Sequence, residues 1–445
     1  MIKKIRKHIR KHIRKHINRK KLEKIKKFTN PDVIKYTFYS IGAIISIAIQ
    51  IINRTFKIKN FISNDYISSF LFIVFCGGVG ELIGYKLTKG INEDILKLEI
   101  DYKKLVSTYQ KDKNRMVIYK EQNGNEITIP VIKLYERKIN DFPTPLKYKI
   151  EFDEEKPKYI LPSILSTYSN EILCAHDKDT YYHNTNIRLN DLIISNEDNN
   201  LIGLVYSYTT FFDSLVTNRA MDFQFKKDMT VRDIYEPGPI ITDLKYSRLS
   251  NHLGFNGFVE LKDGNIIFLK RKDDLSVGKN TWQQSIGASF KTKYALNDKH
   301  EFTPEGISKA IVGEINDELK LGLPNDLNLK DYVFAFYRDL VEGGKPQFVF
   351  YYKIPNDMYV KDINGNNVLD SYKREWFETN FYKHEIKKDR KEKVIDGDEF
   401  KFYKIDQLKT FKFTESCMID SENEKLEMTP SSIASIILLL KNYPN

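Results

Sequence analysis

Hydrophobic and polar positions divide the chain into three regimes. Two long uncharged runs come first, Tyr36–Ile52 and Tyr66–Gly80, the second continued past Glu81 by Leu82-Ile83-Gly84-Tyr85. Each approaches the roughly 20 residues that cross hydrocarbon, and flanking tyrosines and lysines suit the headgroup level. The pattern predicts two transmembrane helices at about 36–55 and 66–85, joined by a connector holding Arg54, Lys57 and Lys59. A hairpin buried in a protein core is the competing reading. Next, Ile95, Leu98, Tyr102 and Leu105 recur at spacings of three and four, predicting a stem helix over 91–114.

Residues 115–235 read as β-rich. Asn123-Gly124 is a hairpin signal between apolar-rich runs, Leu146–Phe152 alternates, and Tyr206–Phe212 has strand composition. No motif there carries chemistry. From 236 to 445 the pattern mixes strands and helices. Gly257–Leu261 and Ile266–Arg271 flank Asp263-Gly264, and Trp282–Phe290 reads as a further strand. Tyr332–Tyr337 and Gln347–Tyr352 are joined across Glu342-Gly343-Gly344. A helix bearing Trp376, a strand Glu399–Tyr403, a short helix near Asp406 and a last helix capped by Thr429-Pro430 complete the series.

The clearest single element is Thr303–Leu323. Thr303 is a good N-cap, Pro304 suits the first helical position, and Gly322 followed by Pro324 marks the end. Ile307, Ala310, Ile311, Ile315 and Leu319 form an apolar stripe. Beside it Glu314, Asp317 and Glu318 share one face, because positions i, i+3 and i+4 converge within a turn. Like charges so placed repel, and a hard divalent cation relieves the repulsion. A solvated acidic face gives the same spacing, so both readings stand on the residues alone.

Charge alters the picture at one end. The formal net charge is +11, yet residues 1–27 hold fourteen Lys or Arg against Glu23 alone, a balance of +13. The remainder carries −2, so the body is not a basic binder of duplex nucleic acid. Three consecutive tetrapeptides from Arg6 to Ile17 repeat R-K-H-I, placing Ile5, Ile9, Ile13 and Ile17 on a slowly winding stripe in a cationic helix over 1–30. Such a helix suits an anionic cell-membrane surface, and so many cations before a first span predict both termini cytoplasmic in a two-span inner-membrane protein. Gly80-x-x-x-Gly84 offers a close-packing face for a homo-oligomer through those helices. Cys76, Cys174 and Cys417 are scattered, which suits a reducing compartment, and Cys174, His176 and His183 read as loop residues rather than a metal site. No G-x-G-x-x-G follows a strand, which argues against a Rossmann fold.

The stretch around Glu314 resembles a Nudix box, whose pattern is G-x5-E-x7-R-E-U-x-E-E-x-G-U with U aliphatic. Glu305 stands at the first acidic place, Glu314-Ile315 at E-U, Asp317-Glu318 at the acid pair and Leu321 at the last aliphatic. Lys299, Gly313 and Lys320 replace the first glycine, the arginine and the second glycine. The resemblance implies an α/β fold, a Nudix α/β/α sandwich with a mixed sheet over 236–445. It implies Glu314, Asp317 and Glu318 as ligands of Mg2+ or Mn2+, Glu314 and Glu318 as the catalytic pair polarising water, and Glu305 as their support. Trp282, Arg271 and Tyr337 are the implied ligand contacts. Together with the two uncharged runs, the chain resembles the SMODS-associated Nudix proteins with two transmembrane helices that accompany cyclic-oligonucleotide synthases in CBASS anti-phage systems. That implies a membrane-anchored effector whose Nudix-like domain recognises a cyclic nucleotide and triggers membrane or cell damage. The alternative is a membrane-tethered hydrolase of diphosphate-linked nucleotides.

Overall fold

Strands here form where aromatic and β-branched residues leave no polar face. Gly254–Glu260 (G-F-N-G-F-V-E) and Val333–Asp339 (V-F-A-F-Y-R-D) are buried at every position, the pattern of central strands covered on both sides. The computed structural model describes residues 97–121, 124–139, 148–176, 184–195, 200–225, 229–272, 278–362, 364–386 and 397–444, with Pro143 and Glu197. All belong to one compact unit, Leu96–Asn445.

The strands are β1 (Met116–Lys120), β2 (Glu126–Glu136), β3 (Lys149–Phe152), β4 (Thr185–Ile194) and β5 (Leu201–Thr210). They continue with β6 (Gly254–Glu260), β7 (Ile266–Arg271), β8 (Trp282–Gln284), β9 (Ile286–Ser289), β10 (Val333–Asp339) and β11 (Lys345–Lys353). A two-residue pair, β12 (Val360–Lys361) and β13 (Asn367–Val368), precedes β14 (Gly397–Tyr403). The main helices are α1 (Tyr102–Thr108), α2 (Thr292–Ala295), α3 (Pro304–Leu319), α4 (Arg374–Ile386), α5 (Ile405–Thr410) and α6 (Pro430–Asn442).

The main sheet runs β1-β2-β10-β11-β6-β7-β14, with β8 on β7 and β9 on β6. It is mixed: β6 and β11 are parallel, in register from Gly254 opposite Gln347 to Glu260 opposite Lys353. Alternation along the strands divides the core in two. Phe255, Val259, Phe348 and Phe350 meet Ile307, Ala310, Ile311 and Ile315 of α3 on one face. Phe258, Phe268, Phe334 and Val349 meet Ile433, Ile436 and Ile437 of α6 on the other. Each such side chain contributes about 2 kcal/mol on burial.

The residues before 236 are not set apart from this sheet. Arg338 of β10 pairs with Ile132 of β2, so the β1–β2 hairpin extends it. A second sheet, β3-β5-β4, adds Ile187, Leu189, Leu204 and Tyr206 to the α3 core. The expected stem helix shrinks to α1 and a 3-10 turn at Gln110–Arg115. Glu99 explains its late start: its carboxylate accepts from the backbone N–H groups of Ile100 and Asp101, both at 3.1 Å.

The membrane expectation is corrected. The tail, the runs 36–55 and 66–85 and Gly80-x-x-x-Gly84 lie outside the described residues. Among the described residues no helix is long and apolar enough to cross a membrane. The longest, α3, has 16 residues and carries Glu305, Lys309, Glu314, Asp317 and Glu318. At 1.5 Å per residue it falls short of the roughly 30 Å of hydrocarbon. The fold is mixed α/β with several sheets, without support for a transmembrane hairpin or a two-span inner-membrane location.

Gly306 sets how α3 meets the segment before it. A Cβ there would lie 1.9 Å from the Ala295 carbonyl oxygen, so α2 rests directly on the first turn of α3. Gly306→Ala is expected to lose about 2 kcal/mol in urea unfolding, overpacking outweighing the better helix propensity. Unchanged or raised stability would show that the two backbones separate freely.

Candidate functional site

The acidic face of α3 begins from a well-formed N-terminus. Thr303 Oγ1 accepts from the Gly306 N–H at 3.3 Å, and Pro304 occupies the first turn. The C-terminus departs from expectation: Lys320, not Gly322, is the first residue past the helix with left-handed backbone, at φ 55°. Its Nζ donates to the Asp317 carbonyl at 2.6 Å and so ties the last turn down.

Glu314 is buried, with 2 % of its side chain exposed, and faces Lys291. Lys291 Nζ lies 2.6 Å from Oε1 and 2.8 Å from Oε2. The ammonium therefore spans both carboxylate oxygens. Lys291 is itself fixed by its backbone, which bridges to Asn186 of β4, while Thr292 Oγ1 donates to the Thr185 carbonyl at 3.1 Å. One turn along, Tyr294 OH donates to Asp317 Oδ2 at 2.5 Å and accepts from Lys293 Nζ at 2.7 Å. The Tyr294 ring lies over Gly313, where a Cβ would come within 3.3 Å of it. At Gly313, then, a missing side chain leaves room for a tyrosine from α2.

A divalent metal would need the free oxygens of Glu314, Asp317 and Glu318 converging on one point. Lys291 Nζ donates to Glu314 Oε2 and stands 2.6 Å from Oε1, which has no hydrogen-bond partner of its own, and Asp317 Oδ2 accepts from Tyr294. Among the described residues no group of three metal-ligating side chains is assembled. In this arrangement the Lys291 ammonium supplies the positive charge beside Glu314. Glu305 does not join it. It stands nine residues earlier, about 13 Å along the axis, and its exposed carboxylate lies 3.9 Å from Lys330 Nζ.

The three expected ligand contacts are not brought to this face. Tyr337 is fully buried in the α6 core. Its hydroxyl meets Ser431 Oγ at 2.7 Å, Ser435 Oγ at 3.1 Å and the amide of Asn256, and burial pushes its pKa well up. Trp282 also packs in that core, with Lys270 Nζ and Lys401 Nζ each 5.7 Å from its ring. Arg271, ending β7, donates from Nη1 to Gln283 Oε1 of β8 at 2.7 Å. These groups knit β7, β8, β10 and α6 together.

Nothing in the period of α3 points to Lys291 and Tyr294, each 23 residues before the carboxylate it meets. One signal was present. A glycine within the polar face of a helix costs about 1 kcal/mol relative to alanine and calls for a packing reason, and Gly313 has one in the Tyr294 ring. No known family model matches the chain, and a search of curated proteins finds no match.

Proposed function

We propose that this chain recognises a nucleotide through a Nudix-like domain without hydrolysing it, as the receptor part of a cyclic-oligonucleotide anti-phage system of the CBASS type. One observation carries the non-hydrolytic half: Lys291 Nζ stands within 2.8 Å of both oxygens of Glu314, the carboxylate that in the family resemblance would hold metal. Activating water against phosphorus draws on a metal that lowers the water's pKa and stabilises charge on the transferring phosphate. An ammonium locked on Glu314 does neither. The nucleotide half rests on the kept register of the box, Glu314-Ile315 and Asp317-Glu318, on a helix packed against a mixed sheet.

The test is calorimetric titration of the full chain with a panel of cyclic di- and trinucleotides in Mg2+, with the same mixtures assayed for phosphate-bond cleavage. Binding of one cyclic nucleotide without turnover is expected. Turnover of a diphosphate-linked nucleotide that disappears in Glu314→Gln would replace this proposal with the hydrolase reading.

A further inference from the structure

We infer that a tyrosine-lined cleft at the carboxyl ends of β6 and β11 is the base-binding part of a nucleotide site. The inference rests on the nucleotide-recognition reading above and gives it a location away from the acidic helix. The cleft has a volume of about 430 Å³, within the range of small-molecule sites, and Tyr332, Tyr351, Tyr443, Lys353, Pro355 and Asn356 line it. Its position follows from the topology. The parallel strands β6 and β11 end side by side at Glu260 and Lys353, and open α/β sheets bind ligands outside the carboxyl ends of parallel strands. Because β10 runs the opposite way, its start brings Tyr332 to the same end.

Rigidity is built in beneath the aromatic surface. Tyr351 is 4 % exposed, and its hydroxyl donates to the buried carboxylate of Glu260, which also holds Lys353 Nζ at 3.0 Å. That anchor stops the Tyr351 ring from turning out. Tyr443, just past the end of α6, stands perpendicular to it with ring centroids 5.6 Å apart. Tyr332 is braced in the same way against Tyr352, at 5.1 Å and 87°. A partly exposed corner of rigid rings is a stacking surface for a planar heterocycle, and a base stacked on an aromatic ring gains roughly five- to a hundredfold in affinity.

Charge selects the occupant. Lys353, half-exposed and paired with Glu260, and Lys409, 5.8 Å from the Tyr443 ring centre and 3.4 Å from Asp406, place two ion-paired ammonium groups beside the aromatic surface. The exposed amide of Asn356 adds a donor and an acceptor at the rim. A planar ring bearing phosphate meets rings and amide together, its phosphate sharing the two ammonium groups with Glu260 and Asp406.

The experiment uses the full chain and calorimetry with AMP, GMP, cyclic di-AMP and cyclic di-GMP, repeated on Tyr443→Ala, Tyr443→Phe and Lys353→Ala. Thermal unfolding of each variant checks that the fold survives. The expected result is at least tenfold weaker binding of the preferred nucleotide in Tyr443→Ala, several-fold weaker in Lys353→Ala, and affinity within about twofold of wild type in Tyr443→Phe. A nucleotide bound equally well by wild type and Tyr443→Ala would overturn the cleft while leaving nucleotide recognition in place. Failure of all four to bind wild type would overturn the cleft as proposed. If the wider panel of cyclic di- and trinucleotides also failed, the nucleotide reading would fall with it.

Discussion

Lys291→Met is expected to destabilise the protein by about 3–5 kcal/mol, the cost of leaving a buried charge without its partner. The reason lies in the asymmetry of the pair. Glu314 has 2 % of its side chain exposed, whereas Lys291 keeps 20 %. Removing the lysine strands the carboxylate, while removing the carboxylate lets the ammonium reach water. Glu314→Gln should therefore cost less than Lys291→Met. The double variant Lys291→Met/Glu314→Leu should recover most of the loss, because it buries two apolar groups where an ion pair stood. Urea unfolding at neutral pH of wild type, Lys291→Met, Glu314→Leu and the double variant gives the cycle, with Glu314→Gln measured beside it. Additive losses in the double variant would mean that the two residues act independently, and the lock on the acidic face would have to be abandoned.

The second large effect depends on pH. Glu236 is 1 % exposed, and burial raises its carboxyl pKa from 4.5 to about 7 against the opposing pull of Arg338 and Arg232. In the folded chain it holds its proton up to about pH 7, while in the unfolded chain it loses it near 4.5. Its contribution to stability is thus fully present below pH 4.5 and is lost as pH rises through about 7. At about 1.4 kcal/mol per pKa unit, the loss reaches about 3 kcal/mol above neutrality. Glutamine imitates the protonated acid, and the Thr242 N–H that donates to Glu236 Oε2 at 2.9 Å keeps an acceptor. Glu236→Gln should accordingly match wild type near pH 4 and exceed it by about 3 kcal/mol at pH 9. Asp339, also raised to about 7 by burial, drifts in the same direction in both proteins. The fully buried His252, its pKa lowered by burial, opposes it at acid pH. Their effects cancel in the difference. A gain that is the same at both ends of the range would falsify the shift at Glu236.

Local signals in the sequence located many elements but few pairings. Thr303 and Thr429 cap α3 and α6 as their residue types imply, each accepting from the N–H three residues on. Gly124 and Asp263-Gly264 fall between β1 and β2 and between β6 and β7, with Gly124 and Gly264 at φ 87° and 81°. Such features depend on neighbours in the chain. The β2–β10 and β6–β11 pairings join residues far apart, and nothing in a run of alternating aromatics says which partner it will meet. The site divides along the same line. Glu314, Asp317 and Glu318 were legible as one face because a helix has a fixed period. Lys291 and Tyr294 reach that face only through the short α2 and its contact with Gly306, which no period encodes. Arg271, Trp282 and Tyr337 share residue types with ligand contacts but serve the packing of α6 and the sheet edge, a distinction set by burial.

The hairpin β1–β2 owes half of its pairing to a strand made much later. Asp339 and Ala335 of β10 close on Val131 and Glu136 of β2, and roughly 200 residues separate the two strands. At the usual 5–20 residues per second, the ribosome needs about 10–40 s to deliver β10 after β2 has been made. Throughout that interval one flank of β2 offers unsatisfied backbone groups beside Ile129 and Val131, side chains destined for the core. Nascent chains halted between these strands thus expose that flank, and messages truncated before residue 333 should yield insoluble product.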